Sequence, residues 1–468
     1  MIPYLPKQIS YKALLTYAAS LIVISLAFFR YSMKIGYIIL GFIWVTGFFL
    51  LVNSLSKGWL KMTQRRYIQL LFSIAILLRL TWMVASYFYY IRATGIPFEF
   101  GTADALGYHE EAKWLAASKW SVAWNYYFGP GSFGISDAGY PLYLTVLYKI
   151  FGPNIMIARI FKCLLSAWTC ILIYKLSART FGEEVGRMAG IMAMLMPNLV
   201  IYCGYHLKET EMIFLEIAFL ERTDHLIRSR RYSLWTLLVP TLLAGSLFFF
   251  RTVLGAAAVF AFVTIVLVSS SPSMKRGGKR LAIIFWGVLC IGTIISSTST
   301  LEIESYWEEK DVNATKKRLE QTSRGSLWAQ YATSAVMAPM TFVLPFSTMV
   351  DVDQQYGQQE KHGGNFIRNF MGIFAILAIY EAVRRKRWRD FALIGSFAIA
   401  YLAVVGVSGF SNSERFLLPG LPCLIMMWAY GVSTLRESTY QFVTPWCIIV
   451  FLMEVGWAYF KLGSRGLF

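Results

Sequence analysis

The chain has 468 residues, of which 57% are hydrophobic, 16% aromatic and only 15% charged, whereas an ordinary soluble domain carries about a quarter charged residues. That composition excludes a soluble enzyme and reads as an integral membrane protein. The 44 Lys and Arg against 26 Asp and Glu, a formal +18, would suggest nucleic-acid binding in a soluble chain, but here they fall mostly in short connections between apolar runs, as cytoplasmic loops do; the expected partner is membrane lipid, with no nucleic acid.

The amino terminus, "MIPYLPKQISYKALLTYAASLIVISLAFF", has no small-residue cleavage site after a short apolar core and reads as a retained helix rather than a signal peptide. With about 20 apolar residues per crossing, candidate spans fall at 11–29, 35–54, 68–91, 155–178, 187–203, 211–228, 233–250, 253–270, 281–297, 366–383, 390–408, 417–435 and 443–460. Closely spaced pairs make this an all-α polytopic protein of about 11–13 transmembrane helices. The basic connections "SKGWLKMTQRR" (56–66), "RSRR" (228–231), "KRGGKR" (275–280) and "RRKRWR" (384–389) alternate with less basic ones. Placing them inside leaves 92–154 and 298–365 as long outer loops, where function tends to sit.

The first outer loop opens with "GTADALGYHEEAKWLA" (101–116), a helix-like run with Leu106, Trp114 and Leu115 assigned to one face and His109, Glu110 and Lys113 to the other. "YPLYLTVLYKIFG" (140–152) is a second, too short to span; both suit the membrane interface. Asp104 reads in two compatible ways: as the N-cap of a helix starting near 105, or as a base whose proton affinity is raised by aromatic surroundings such as Tyr108. Glu110 and Glu111 read as solvated helix surface, with Glu110 paired to Lys113 at helical spacing.

Further along, "YHLKETEMIF" packs His206, Lys208, Glu209 and Glu211 between two spans, where charges are costly unless paired or used. Arg159, Lys162 and Arg251 flank the same outer boundary; they either snorkel or converge on a phosphate, which guanidinium matches with paired hydrogen bonds. Arg79 lies mid-span and needs a partner that the sequence does not name. "GFSNSERFLLPGLP" (409–422) places Glu414 and Arg415 at an outer turn, either as a mutual salt bridge or with Arg415 as another cation for the same pocket. The six cysteines, Cys163, Cys170, Cys203, Cys290, Cys423 and Cys447, lie in or beside apolar runs without metal-type spacing and read as small buried residues.

In this order, "LLRLTW", "DALGYHEEAKWLA", "AGYPLYLTVLYKIFGPN" and the run from "ARIFKC" to "EMIFL", over about residues 68–230, with a weaker return at "SERFLLPGLPCLIMMWAYG", the sequence resembles the GT-C superfamily of membrane glycosyltransferases. That group includes protein O-mannosyltransferases and the transferase that adds aminoarabinose to lipid A. The resemblance implies a sugar moved from a polyprenyl-phosphate donor to a hydroxyl of a glycan, lipid or protein acceptor, with inversion, at the extracytoplasmic face of a multi-pass protein of the bacterial inner membrane. It assigns the general base to Asp104 and an assisting carboxylate to Glu209, with Glu211 behind it. Lys208, Arg159 and Arg251 would hold the carrier phosphate, and Tyr108, His206 and Arg415 complete the expected substrate-binding set. No cofactor is required; a divalent cation between Asp104 and Glu209 stays open.

By the same resemblance, residues 1–67 are an added helix pair and 68–297 the catalytic module; the loop 298–365 has no counterpart in the resemblance and reads as an acceptor-side cap, with 366–468 as the carboxy-terminal helices. The first loop departs from the family in its lysines, with Lys113 and Lys119 placed further along than the resemblance would put them. An alternative is a polysaccharide polymerase or O-antigen ligase acting on undecaprenyl-diphosphate glycans, which would rely on Arg318, Arg324 and His362 of the late loop. A transporter or flippase would call for inverted repeats and helices interrupted at the midplane, and neither is evident.

Overall fold

Inside hydrocarbon a backbone amide or carbonyl has no water to bond, so a chain this apolar is driven to pair those groups within helices. The computed structural model describes residues 2–100, 103–129, 138–229, 234–268, 340–352, 356–407, 413–463 and 467, and all regular structure there is helical, apart from an isolated bridge between Ser32 and Val350. The candidate span 281–297, the basic connection 275–280, Cys290, Arg318 and Arg324 lie outside the described residues.

In chain order the helices are α1 (Lys7–Ala27), α2 (Ile35–Gly58), α3 (Gln64–Thr94), α4 (Ala103–Ala117), α5 (Trp120–Phe128), α6 (Gly139–Phe151), α7 (Ile155–Phe181), α8 (Glu183–Leu195), α9 (Pro197–Ile201), α10 (Glu209–Arg228), α11 (Leu234–Phe250), α12 (Thr252–Val268), α13 (Tyr356–Arg384), α14 (Trp388–Val407), α15 (Glu414–Leu417), α16 (Leu421–Ser433), α17 (Glu437–Tyr440) and α18 (Val443–Gly463). Among the described residues eight helical stretches are long and apolar enough to cross a membrane, and two shorter apolar helices accompany them. In the stretch Glu414–Ser433 94% of the apolar window is buried, against 22% in Gln64–Thr94, so the former runs through the middle of the bundle and the latter along its lipid-facing side.

Local chemistry sets the breaks. α3 stops at Gly95 and α6 at Gly152, both with positive φ (80° and 77°), where a side chain would be strained. Asn154 then starts α7, its Oδ1 accepting from the amides of Met156 (2.9 Å) and Ile157 (3.3 Å). The stretch 187–203, expected to be one span, is instead two helices, because Pro197 cannot continue the ladder of α8. The helix expected over 366–383 begins ten residues earlier, at Tyr356, so Glu360, Lys361 and His362 belong to its first turns and not to an outer loop. α1 and α2 pack against α18, α13 and α8, within the same bundle as the later helices.

The connections sort to two ends. Arg187 donates to the carbonyl of Trp59 (2.7 Å), Arg179 pairs with Glu221 and Asp224 (2.8 Å each), and Asp224, Arg228, Arg389 and Asp390 line one cleft. The basic connections that are described therefore share one end. The amide of Asp351 bonds the carbonyl of Tyr31 (2.7 Å) and Tyr90 reaches Glu360 (2.7 Å), so the starts of α2 and α13 and the end of α3 share the other.

Arg79 is wholly buried in α3 and donates to neutral groups: Ser166 Oγ (2.7 Å), Cys170 Sγ (3.3 Å) and the carbonyls of Ala75 (3.2 Å), Ala193 and Met194 (3.3 Å each). The last two belong to the final turn of α8, whose carbonyls lack helical donors because of the break at Pro197. Replacing Arg79 by Leu strands those acceptors, and we expect a loss of about 2–4 kcal/mol of stability, read by unfolding in detergent, with Arg79→Lys losing less.

Candidate active site

At the end of the bundle opposite the basic connections, four elements distant in sequence meet. α4 supplies Asp104 and Tyr108, the turn before α10 supplies Lys208, the first residue of α10 is Glu209, Arg251 sits at the joint between α11 and α12, and α15 supplies Arg415.

Because α4 begins at Ala103, Asp104 lies in its first turn. It is not a cap: its Oδ2 accepts from Arg415 Nη1. The buried face of α4 is Ala105, Ala112 and Leu115, with Tyr108 and His109 half-buried on the same side, while Leu106 and Trp114 are exposed. The expected assignment of faces is thus corrected for Leu106 and Trp114. In water those two would turn inward; at a membrane interface their best neighbour is lipid, and small residues fill the contact with α6. The expected Glu110–Lys113 pair forms at 3.4 Å on the exposed face, whereas Glu111 turns to Tyr127, which donates to it at 2.5 Å.

Arg415 is the centre of the group. Besides Asp104 it bonds Glu209 Oε1 through Nε, and its guanidinium also meets the Tyr108 hydroxyl. Glu209 is fully buried and the Asp104 side chain 57% exposed, so one guanidinium joins a dry carboxylate to a wet one. Arg251 lies 3.9 Å from the same Glu209 oxygen, donates to the Tyr401 hydroxyl at 3.1 Å, and stacks 4.4 Å from the Phe416 ring. Lys208 donates to the carbonyl of Phe250 at 2.9 Å. Burial, and next the charge of Arg251, push the Lys208 ammonium down to about 7, with Glu209 opposing. Burial likewise raises the Tyr108 phenol to about 12, with Arg415 opposing. Three cations thus face two carboxylates, leaving room for an anion.

Arg159, His206 and Glu211 are not brought to this group. Arg159 is wholly buried and donates to the carbonyl of Pro97 at 2.6 Å, beside Glu99. Glu99 in turn accepts from the amide of His206 at 3.2 Å. Glu211 faces Lys162 at 3.6 Å, and Lys162 also binds the carbonyls of Tyr205 (2.9 Å) and Leu207. These residues tie the chain before α4 to the turn before α10, and so hold Asp104 and Lys208 in register. His206 shares the Tyr148 hydroxyl (3.2 Å) with His109 (2.8 Å); burial keeps both imidazoles below their usual range and therefore neutral.

Glu414 and Arg415 do not pair with each other. Glu414 points inward, accepting from Asn198 Nδ2 at 2.5 Å and meeting Lys361 Nζ at 2.7 Å. Sequence reasoning missed Asn198, Glu360 and Lys361; the available signal was an acidic-basic dyad at the head of an apolar run. Glu360 accepts from the hydroxyls of Tyr90 (2.7 Å) and Tyr205 (2.9 Å). His362 is buried against Tyr17, 2.7 Å from its hydroxyl, away from the Arg415 group. Among the described residues no cluster of three or more His, Cys, Asp or Glu side chains is arranged to hold a metal ion.

No protein-family model and no curated protein matches the sequence. Solved structures do match. The oligosaccharyltransferase AglB from Archaeoglobus fulgidus, in complex with an inhibitory peptide and a dolichol-phosphate, aligns with a TM-score of 0.50 and 10% identity over 86% of this chain and 56% of that one. ArnT from Cupriavidus metallidurans bound to undecaprenyl phosphate aligns at 0.49 and 16% identity, over 83% and 64%. The chain therefore spans 56% and 64% of the lengths of these proteins. The likeness is one of fold: this chain shares the helical architecture of the AglB structure.

Removing Arg415 would leave buried Glu209 without its closest ion pair, with Arg251 at 3.9 Å. We expect Arg415→Gln to cost about 3 kcal/mol of stability, measured by unfolding in detergent, and Arg415→Lys to recover part of it.

Proposed function

We propose that this chain is a GT-C-type membrane glycosyltransferase that moves a sugar from a polyprenyl-phosphate donor to an acceptor hydroxyl, with inversion. The observation that carries the reading is the convergence of Asp104, Glu209, Lys208, Arg251 and Arg415 at one end of the bundle. The AglB structure, whose fold this chain shares, holds a dolichol-phosphate, which supports a polyprenyl-phosphate ligand here. The described basic connections gather at the other end, and the excess of positive charge on cytoplasmic loops supports an extracytoplasmic site, in a bacterial inner membrane.

In this mechanism Asp104 is the base. It is the exposed carboxylate of the pair, and its ion pair with Arg415 fixes where it stands. As the acceptor oxygen attacks the anomeric carbon, its proton passes to Asp104. The bond from that carbon to the phosphate oxygen breaks on the opposite face, and its electron pair leaves with the polyprenyl phosphate. Lys208 and Arg251, with Arg415 shared between carboxylate and phosphate, stabilise the leaving charge. Glu209, dry and fixed, gathers Arg415 and Arg251 around one oxygen, which keeps both cations at the site. The proton and the leaving charge are both accounted for by side chains, so the reaction as written requires no cofactor.

The direct test is turnover with a panel of polyprenyl-phosphate sugars. Asp104→Asn should lower kcat by about 10²- to 10⁴-fold with donor affinity within a few-fold of wild type; full activity in that variant would remove the mechanism.

A pH profile tests Lys208 separately. Its ammonium is charged below about 7 and neutral above, so kcat/KM for the donor should fall as pH rises through that value, because the cation that meets the phosphate is lost. Lys208→Arg should flatten this limb.

A further inference from the structure

Arg415 is carried by α15, the four-residue opening turn of the helical stretch Glu414–Ser433, and the end of a helix frays unless its side chains are tied down. Something else must aim it. Its neighbour Glu414 is nearly dry, its side chain 7% exposed, and Lys361, with a 12% exposed side chain, lies 2.7 Å from its Oε2. Oε1 takes the 2.5 Å hydrogen bond from Asn198. Each of these partners is fixed in turn. The Asn198 amide also donates to Asn365 Oδ1 at 3.0 Å, and a Cβ at Gly364 would overlap its Oδ1, so the glycine leaves the space that Asn198 occupies. The Lys361 ammonium lies 5.2 Å and 5.5 Å from the ring centres of Tyr202 and Tyr205. Successive residues of a helix diverge by about 100°, so pinning Glu414 on one side determines where Arg415 points on the other.

We propose that Lys361, Glu414 and Asn198 form a positioning lock that aims Arg415 at Asp104 and Glu209, and through Arg415 holds α4 in its reactive placement. None of the three touches the group assigned to the chemistry; they act through Arg415. The inference rests on the reading of the Arg415 group as the reaction site, but its first test does not need activity.

Hydrogen exchange of the full-length protein in lipid nanodiscs reads the placement of α4. In Lys361→Met the peptide covering 103–117 should exchange roughly tenfold faster, as in Arg415→Gln, while the peptide covering 443–463 keeps wild-type protection. Lys361→Arg, which retains the charge, should retain most of the α4 protection. An unchanged α4 in Lys361→Met, beside a loosened α4 in Arg415→Gln, overturns the lock; so does equal loosening of 443–463, which marks a general structural role. Glu414→Gln, close in shape, guards against a misfolded Lys361 variant and should loosen α4 in the same way. The second readout is kinetic: Lys361→Met should lower kcat about tenfold or more with a smaller change in KM for the donor, and the reverse split overturns the proposal. If the wild type turns over no polyprenyl-phosphate sugar, the functional reading fails while the exchange experiment still decides the lock.

Discussion

The guanidinium of Arg415, held between an exposed carboxylate on α4 and a buried one on α10, is the interaction on which the outer end of the bundle depends. A carboxylate as dry as that of Glu209 is tolerable only with charged partners close by, since removing it from water costs several kcal/mol. Arg415 and Arg251 supply those partners, both at Oε1. Arg415 also reaches Tyr108 and Asp104, so the same contact docks α4, an interfacial helix with few large apolar side chains turned inward. The electrostatic need of one buried acid thereby gathers the groups that can hold a phosphate and accept a proton.

A second constraint runs through the bundle: polar groups at membrane depth must find partners within the protein. Pro197 ends α8 early, and the carbonyls of Ala193 and Met194 turn to Arg79. The residue after that proline is Asn198, which bonds Glu414. One backbone break therefore gives a mid-membrane arginine its acceptors and places an amide against the element that carries Arg415. Neither consequence is local in sequence; Arg79 and Ala193 are 114 positions apart, and Asn198 and Glu414 are 216 apart.

Much of the architecture was legible in the chain. Long apolar runs marked the spans, the short run at 140–152 was rightly kept from spanning, and the basic connections that are described do share one end. The errors have common physical causes. Leu106 and Trp114 were grouped on one face with Leu115 by apolar character alone, which does not separate a side chain that packs on protein, as Leu115 does, from one that faces outward, as those two do. The start of α13 was missed because Glu360, Lys361 and His362 look like loop residues, although each finds a partner on another helix. Arg159, Glu211 and His206 shared the right boundary with Asp104 and still turned elsewhere, toward Pro97, Lys162 and Tyr148, because depth in a membrane does not specify the direction of a side chain.

By itself the sequence determined the class of the molecule, an all-helical membrane protein, and the candidacy of Asp104, Glu209, Lys208, Arg251 and Arg415. Hydrophobic length, charge placement and the cost of ions near hydrocarbon are one-dimensional properties, readable along a chain. Which of those charges meet was decided only by the tertiary structure. Arg415 bonds two carboxylates 311 and 206 positions away, and its neighbour Glu414 turns to Lys361 and Asn198. Such pairings follow from helix rotation and from closure of the bundle, which brings distant turns together and gives each buried charge a single accessible partner set.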